Sequence, residues 1–133
     1  MKYKKSYFLI GQKAIVTNQA NELLLLRRSN KTPAPGRWDF PGGGLDQGED
    51  AIKGIKREIK EEAGLTIIDI TPIKFTTHLE NKDSVLLIIY WALAKSNKVK
   101  LSWEHDEYVW VNKKTALTMK LPALMNQVIK SIL

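Results

Sequence analysis

Three glutamates, Glu58, Glu61 and Glu62, carry the chemistry this sequence offers most plainly. On an α-helix, positions three and four apart are neighbours, so these carboxylates fall within an arc of about 100°. Like charges that close repel one another, and a divalent cation is the simplest relief. Magnesium is a hard ion that prefers oxygen ligands and is commonly shared between a few carboxylates and a substrate's phosphates. Arg57, one residue earlier, can pair with Glu49 or another carboxylate. The preceding loop, with Gly42, Gly43 and Gly44, has no side chains to keep its backbone away from a metal or phosphate. Taken alone, a Glu-rich helix is more often a solvated face, and Lys53, Lys56 and Lys60 are at hand to offset its charge. The elements around the cluster must decide.

The helix itself is well marked. Over 50–63, Ile52, Ile55, Ile59 and Ala63 recur at helical spacing and give one apolar stripe. Asp50 suits the N-cap, and Gly64 suits the left-handed C-cap. Upstream, 7–17 and 22–28 read as strands joined by a turn at 18–21, which predicts a hairpin. The unbroken run Leu23 to Leu26 predicts burial on both faces. Residues 30–48 form a long Pro- and Gly-rich loop, with Trp38-Asp39-Phe40 a short strand inside it. A loop that long in a compact domain is usually functional. Downstream, 66–79 alternates but slips phase at Pro72, which predicts a bulge or two short strands. Residues 85–94 and 106–111 read as further strands, with an irregular stretch from Lys95. Leu121, Leu124, Met125, Val128, Ile129 and Ile132 form a closing helical stripe read as core packing. Such an order of elements packs naturally as a mixed sheet between helices.

The segment GGLDQGEDAIKGIKREIKEEAGL, residues 43–65, resembles the Nudix box, G-x5-E-x7-R-E-U-x-E-E-x-G-U with U aliphatic. Gly43, Glu49, Arg57, Glu58, Glu61, Glu62 and Gly64 fill every fixed position, and Ile59 and Leu65 fill both aliphatic ones. The leader Leu23 to Ser29, the approach Trp38 to Gly43 and the late stretch Glu104 to Val111 look like the MutT-like branch. The resemblance implies an α+β fold, an α/β/α sandwich around a central mixed β-sheet, in a single domain over 1–133. It implies that Glu58, Glu61 and Glu62 bind Mg2+ or Mn2+, that the Gly42 carbonyl is a further ligand, and that one carboxylate activates water. Glu49 and Arg57 look like an ion pair that, with Gly43 and Gly64, serves structure. A distant acidic residue often completes such a site, and Glu104 is favoured over Glu107. Of the two arginines ending the second strand, Arg27 is favoured for substrate phosphate, since guanidinium suits phosphate oxygens. Trp38, Trp103 and Trp110 could stack on a base, although tryptophan is more often packing. His78 and His105 have no short-spaced histidine partner and are given no role.

Composition narrows the rest. Hydrophobic residues make up 44% and charged residues 26%, ordinary for a globular chain. There is no cysteine, which excludes disulfides and thiolate metal sites and fits a reducing cytoplasm. The longest apolar run, 85–94, is about half of what a spanning helix needs, and no signal-peptide stretch is visible. A cytoplasmic location is expected. The net charge of +7 comes from lysines scattered along the chain, and no basic stripe supports nucleic-acid binding or decapping. The expected partner is a small nucleotide, with a homodimer left open.

The function expected is Mg-dependent hydrolysis of a phosphoanhydride bond, with a nucleoside triphosphate pyrophosphohydrolase in front. Nucleotide-sugar or ADP-ribose pyrophosphatases and a non-catalytic nucleotide-binding domain are the alternatives. In the family, ADP-ribose hydrolases tend to carry a proline about fifteen residues beyond the box, and dinucleoside polyphosphate hydrolases a tyrosine nearby. Residues 77–83 hold neither. A binding-only domain would be expected to have lost box glutamates, and this chain keeps them all.

Overall fold

The structure, a computed structural model, describes residues 2–132; the expected domain span of 1–133 ends on Met1 and Leu133, outside the described residues. Its strands are β1 (Phe8–Thr17), β2 (Leu23–Arg28), β3 (Trp38–Asp39), β4 (Gly42–Gly44), β5 (Ile67–Glu80), β6 (Asp83–Ala94) and β7 (His105–Val111). The helices are α1 (Ala51–Ala63), α2 (Lys113–Ala116) and α3 (Ala123–Ser131). The strands form one mixed sheet in the order β3-β2-β1-β6-β5, with β4 beside β1 and β7 beside β2. Among the described residues only β1 and β6 run parallel.

The alternation of side chains along β1 and β2 explains the layers. Ala14, Val16, Leu24 and Leu26 pack on one face against Ile55, Ile59 and Ala63 of α1. Ile15, Leu23 and Leu25 pack on the other against Ala116 of α2 and Met125, Val128 and Ile129 of α3. The sheet therefore lies between helices, and the leucine run is buried on both faces, as its unbroken apolarity predicts. Each fully buried leucine or isoleucine contributes about 1.5–3 kcal/mol. Leu124 departs from the core stripe and lines a cleft instead, and Ile132 is 37% exposed. No helix among the described residues is long and apolar enough to cross a membrane.

The caps of α1 match its sequence signals. The Asp50 carboxylate accepts from the Lys53 amide at 2.9 Å, and Gly64 takes φ 69° while its N–H reaches the Lys60 carbonyl at 2.9 Å. The predicted β1–β2 hairpin is shorter than expected. The pairing is registered at Thr17↔Leu23, beyond which β1 runs with β4 and β6 while β2 pairs with β3 and β7. Within the long loop, β4 was not anticipated. The slip at Pro72 is an irregularity inside one long strand, with the register shifting between Pro72 and Lys74. The polar pair Asn81-Lys82, both at positive φ, closes the β5–β6 hairpin as a two-residue turn.

Candidate active site

Helix α1 presents Glu58 and Glu62 to the glycine strand β4. Antiparallel pairing of β4 with β1 sets Gly43 opposite Gln12 and Gly42 opposite Lys13. A Cβ on Gly42 would lie 1.9 Å from the Gln12 carbonyl oxygen, and one on Gly43 would lie 2.7 Å from Glu58 Oε1. Side chains at these positions would force β4 off β1 or push Glu58 away. Glycine is what lets the strand pair with β1 while lying against the helix carboxylates. The Gly42 N–H donates to Glu62 Oε2 at 2.8 Å.

Glu62 is 5% exposed, and its carboxyl is pushed up to about 8. Burial is the main cause, reinforced by Glu58 and Glu104 and opposed by the Gly42 amide and Lys13. Burial also raises Glu58, against the pull of Arg57 and with a further push from Glu61 and Glu104. Glu104 comes from the irregular segment before β7, and its charge is felt by both helix carboxylates. Glu107 lies elsewhere: its carboxylate meets the Arg27 guanidinium at 2.8 Å on β7.

Glu61 turns toward solvent, where Arg57 Nη1 lies 3.1 Å from its Oε2. The same arginine grips Glu49 with two hydrogen bonds, Nε to Oε2 at 2.7 Å and Nη2 to Oε1 at 3.1 Å. That pair ties the loop before α1 to the helix and holds the Glu49 carboxyl below the usual carboxylate range. Glu49 Oε1 also accepts from the Asp46 amide at 3.2 Å.

These residues suit a hard divalent cation. They offer oxygen donors, two of the carboxylates are desolvated, and their mutual repulsion opposes the ionised state. Among the described residues, no three acidic or histidine side chains converge to metal-ligand separations. The carboxylates form a facing set rather than a closed cage.

On the α3 side of β4 opens a cleft of about 610 Å³. Gly43 belongs to its wall, so the cleft reaches the strand against which the carboxylates pack. Lys13, Arg28, Arg37, Trp38, His78 and Leu124 line it with others. Lys13 Nζ pairs with Asp39 at 3.0 Å and donates to the Phe40 carbonyl at 3.2 Å. The expectation for Arg27 meets a different geometry. Its guanidinium is held by Asp106 and Glu107, each at 2.8 Å, and sits 6.0 Å from the Trp38 ring centre, while Arg28 takes the place in the cleft. A register shift between Arg27 and Arg28 accompanies this arrangement.

Sequence reasoning missed Lys13, Arg37 and His78 as cleft residues. Nothing local marks the first two, since the β1–β4 pairing and the loop conformation bring them in. His105 is buried, with its Nδ1 lacking a hydrogen-bond partner among the described residues and its pKa lowered chiefly by burial.

The sequence model of the NUDIX domain matches residues 9–132. The chain belongs to the Nudix family. It is similar to the nucleoside triphosphatase NudI of Escherichia coli, 28% identical over 108 residues that span 73% of this chain and 77% of that one. The MutT protein from Methanosarcina mazei superposes with a TM-score of 0.78 at 31% identity, over 96% of this chain and 94% of the other. An Ap4A hydrolase from Caenorhabditis elegans gives 0.75 at 25% identity, over 92% and 93%. The fold is thus the Nudix α+β fold, and the chain is a Nudix hydrolase acting on nucleoside diphosphate derivatives. Nudix hydrolases typically use divalent metals.

Proposed function

We propose that this Nudix hydrolase cleaves a nucleoside triphosphate to the monophosphate and pyrophosphate, with Mg2+ as cofactor and Mn2+ as a substitute. One observation carries the reading: the buried Glu62 and the half-buried Glu58 carboxylates abut a glycine strand that also walls a cleft lined by Lys13, Arg28 and Arg37. The similarity to a nucleoside triphosphatase supports the triphosphate over the other diphosphate derivatives.

Glu58 and Glu62 would hold the ion, with Glu61 at the solvent rim, the Gly42 carbonyl as a further oxygen donor and Glu104 completing the set. The chemistry a divalent ion supplies there is neutralisation of phosphoryl oxygens and acidification of the attacking water. The chain's own residues do the rest. Lys13, Arg28 and Arg37 orient the phosphates, and the Trp38 ring offers the base a stacking face. Water attacks phosphorus, the P–O bond to the leaving pyrophosphate breaks, and a carboxylate of the set takes the water's proton. Glu49 and Arg57 keep α1 registered on its loop, with Gly43 and Gly64 giving the close packing and the helix stop.

The test is a panel of nucleoside triphosphates, nucleotide-sugars, ADP-ribose and dinucleoside polyphosphates with Mg2+, reading phosphate against pyrophosphate. Pyrophosphate and a monophosphate from a triphosphate are expected. Turnover confined to nucleotide-sugars or ADP-ribose would replace this substrate class. Tight nucleotide binding with no turnover would favour a binding-only domain.

A further inference from the structure

Strand β5 is the free edge of the sheet, since it pairs with β6 alone among the described residues. Its outer half breaks the usual rules for an edge. It is long, it is not covered by a helix, and Phe75 and Leu79 are 76% and 75% exposed on it. Exposed edges of this kind are normally blunted, because their unpaired N–H and C=O groups are a template for another strand.

The register with β6 shows which backbone groups are free. The pairs run without a break from Lys74↔Ile89 to Glu80↔Asp83 around the two-residue turn. In such a hairpin the residues flanking the turn are mutually hydrogen-bonded, and bonded pairs alternate along the ladder. Lys74, Thr76, His78 and Glu80 therefore turn their backbone groups to β6. Phe75, Thr77 and Leu79 turn theirs outward.

We propose that β5 pairs with β5 of a second copy of this chain, antiparallel, about a two-fold axis at Thr77. That register is self-complementary on both faces. On the α1 face, Phe75 falls opposite Leu79 of the second copy, and Thr77 opposite itself. On the cleft face, Lys74 falls opposite Glu80 of the second copy, and Thr76 opposite His78. Cross-strand partners share a face in an antiparallel pair, so Phe75 meets an apolar side chain and Lys74 an anion, with the polar Thr76 and His78 side by side. Among the described residues Lys74 makes no ion pair, and Glu80 meets the His78 imidazole at 3.6 Å. A second copy thus supplies the partner that Lys74 lacks, and a two-fold contact satisfies both copies at once.

The pairing also reaches the site. Glu80 and His78 line the cleft, so Lys74 of the second copy arrives at its rim and offsets a carboxylate beside the phosphate-facing cations. A single edge pairing is a small interface, so the dimer is expected to be concentration-dependent.

The experiment is sedimentation equilibrium of the full chain from micromolar to millimolar concentration, with three variants. Thr77→Pro deletes only an outward N–H, which an edge strand tolerates, and is expected to weaken association at least about tenfold. Lys74→Glu sets acid against acid and is expected to weaken it too. Lys74→Glu combined with Glu80→Lys exchanges the pair and is expected to restore it. A wild-type chain that stays monomeric throughout would overturn the proposal. So would a dimer indifferent to Lys74→Glu, or a double variant no better than the single one, and these outcomes decide even if Thr77→Pro does not fold.

Discussion

The Gly42 amide donates to Glu62 Oε2 at 2.8 Å, joining the glycine strand to a carboxylate twenty positions later in the chain. Among the described residues this is the one hydrogen bond that side chain makes, on a group only 5% exposed. One amide does not offset the desolvation of a carboxylate, which is why burial dominates and the carboxyl titrates high.

A pH dependence follows. Between the ordinary value of 4.5 and about 8, the folded chain keeps a proton on Glu62 that the unfolded chain has released. Unfolding then loses a proton, so Glu62's contribution to stability falls as pH rises through that window. His105 runs the other way, because its folded pKa lies below 6.5 and its contribution rises with pH. Comparing wild type with Glu62→Gln isolates the first effect. Denaturant unfolding in chelator should show the variant gaining on wild type from about pH 5 to about pH 8. Parallel curves would mean that the carboxylate is not desolvated.

Gly43→Ala separates folding from metal binding. The added Cβ would stand 2.7 Å from Glu58 Oε1, the movable end of a side chain, so Glu58 shifts and the fold survives. The apparent Mg2+ affinity should fall roughly 10- to 100-fold, as for other changes that misplace a ligand. Circular dichroism and a Mg2+ titration of activity check it, and an unaltered titration would contradict the close approach.

Arg57→Lys and Glu49→Gln test the clamp between loop and helix. Lysine cannot reproduce the two-bond grip on Glu49. Both variants should lower kcat/KM by a similar factor, and the double variant should be little worse than either one. Additive losses would show that the two residues act separately.

Glu104→Gln and Glu107→Gln should diverge. Glu104 shares the electrostatic field of Glu58 and Glu62, whereas Glu107 is engaged by Arg27. The first is expected to cut turnover by about 10²-fold or more, with its unfolding midpoint little changed, and the second to leave turnover near wild type. Equal effects would remove Glu104 from the site.

Much of this architecture was legible in the sequence where local chemistry is strong. Helix α1 announces itself through its isoleucine stripe, its Asp50 and Gly64 caps and the box pattern. The leucine run of β2 signals its burial on both faces. Strand β4 is three glycines, without side chains to make a period, and its strand character comes entirely from pairing with β1. That Arg28 rather than Arg27 lines the cleft is hidden for a related reason. Adjacent strand positions point to opposite faces, and the register irregularity between them leaves no sequence mark. Lys13 and Arg37 reach the cleft through long-range pairing and loop shape, which single-sequence patterns do not carry.

The most direct measurement is nucleotide turnover by wild type and by Glu58→Gln/Glu62→Gln, each with Mg2+ and then with chelator. Wild type is expected to show turnover that chelation abolishes and Mg2+ restores, and the folded double variant a loss of at least about 10²-fold. A double variant that turns over substrate like wild type would contradict it.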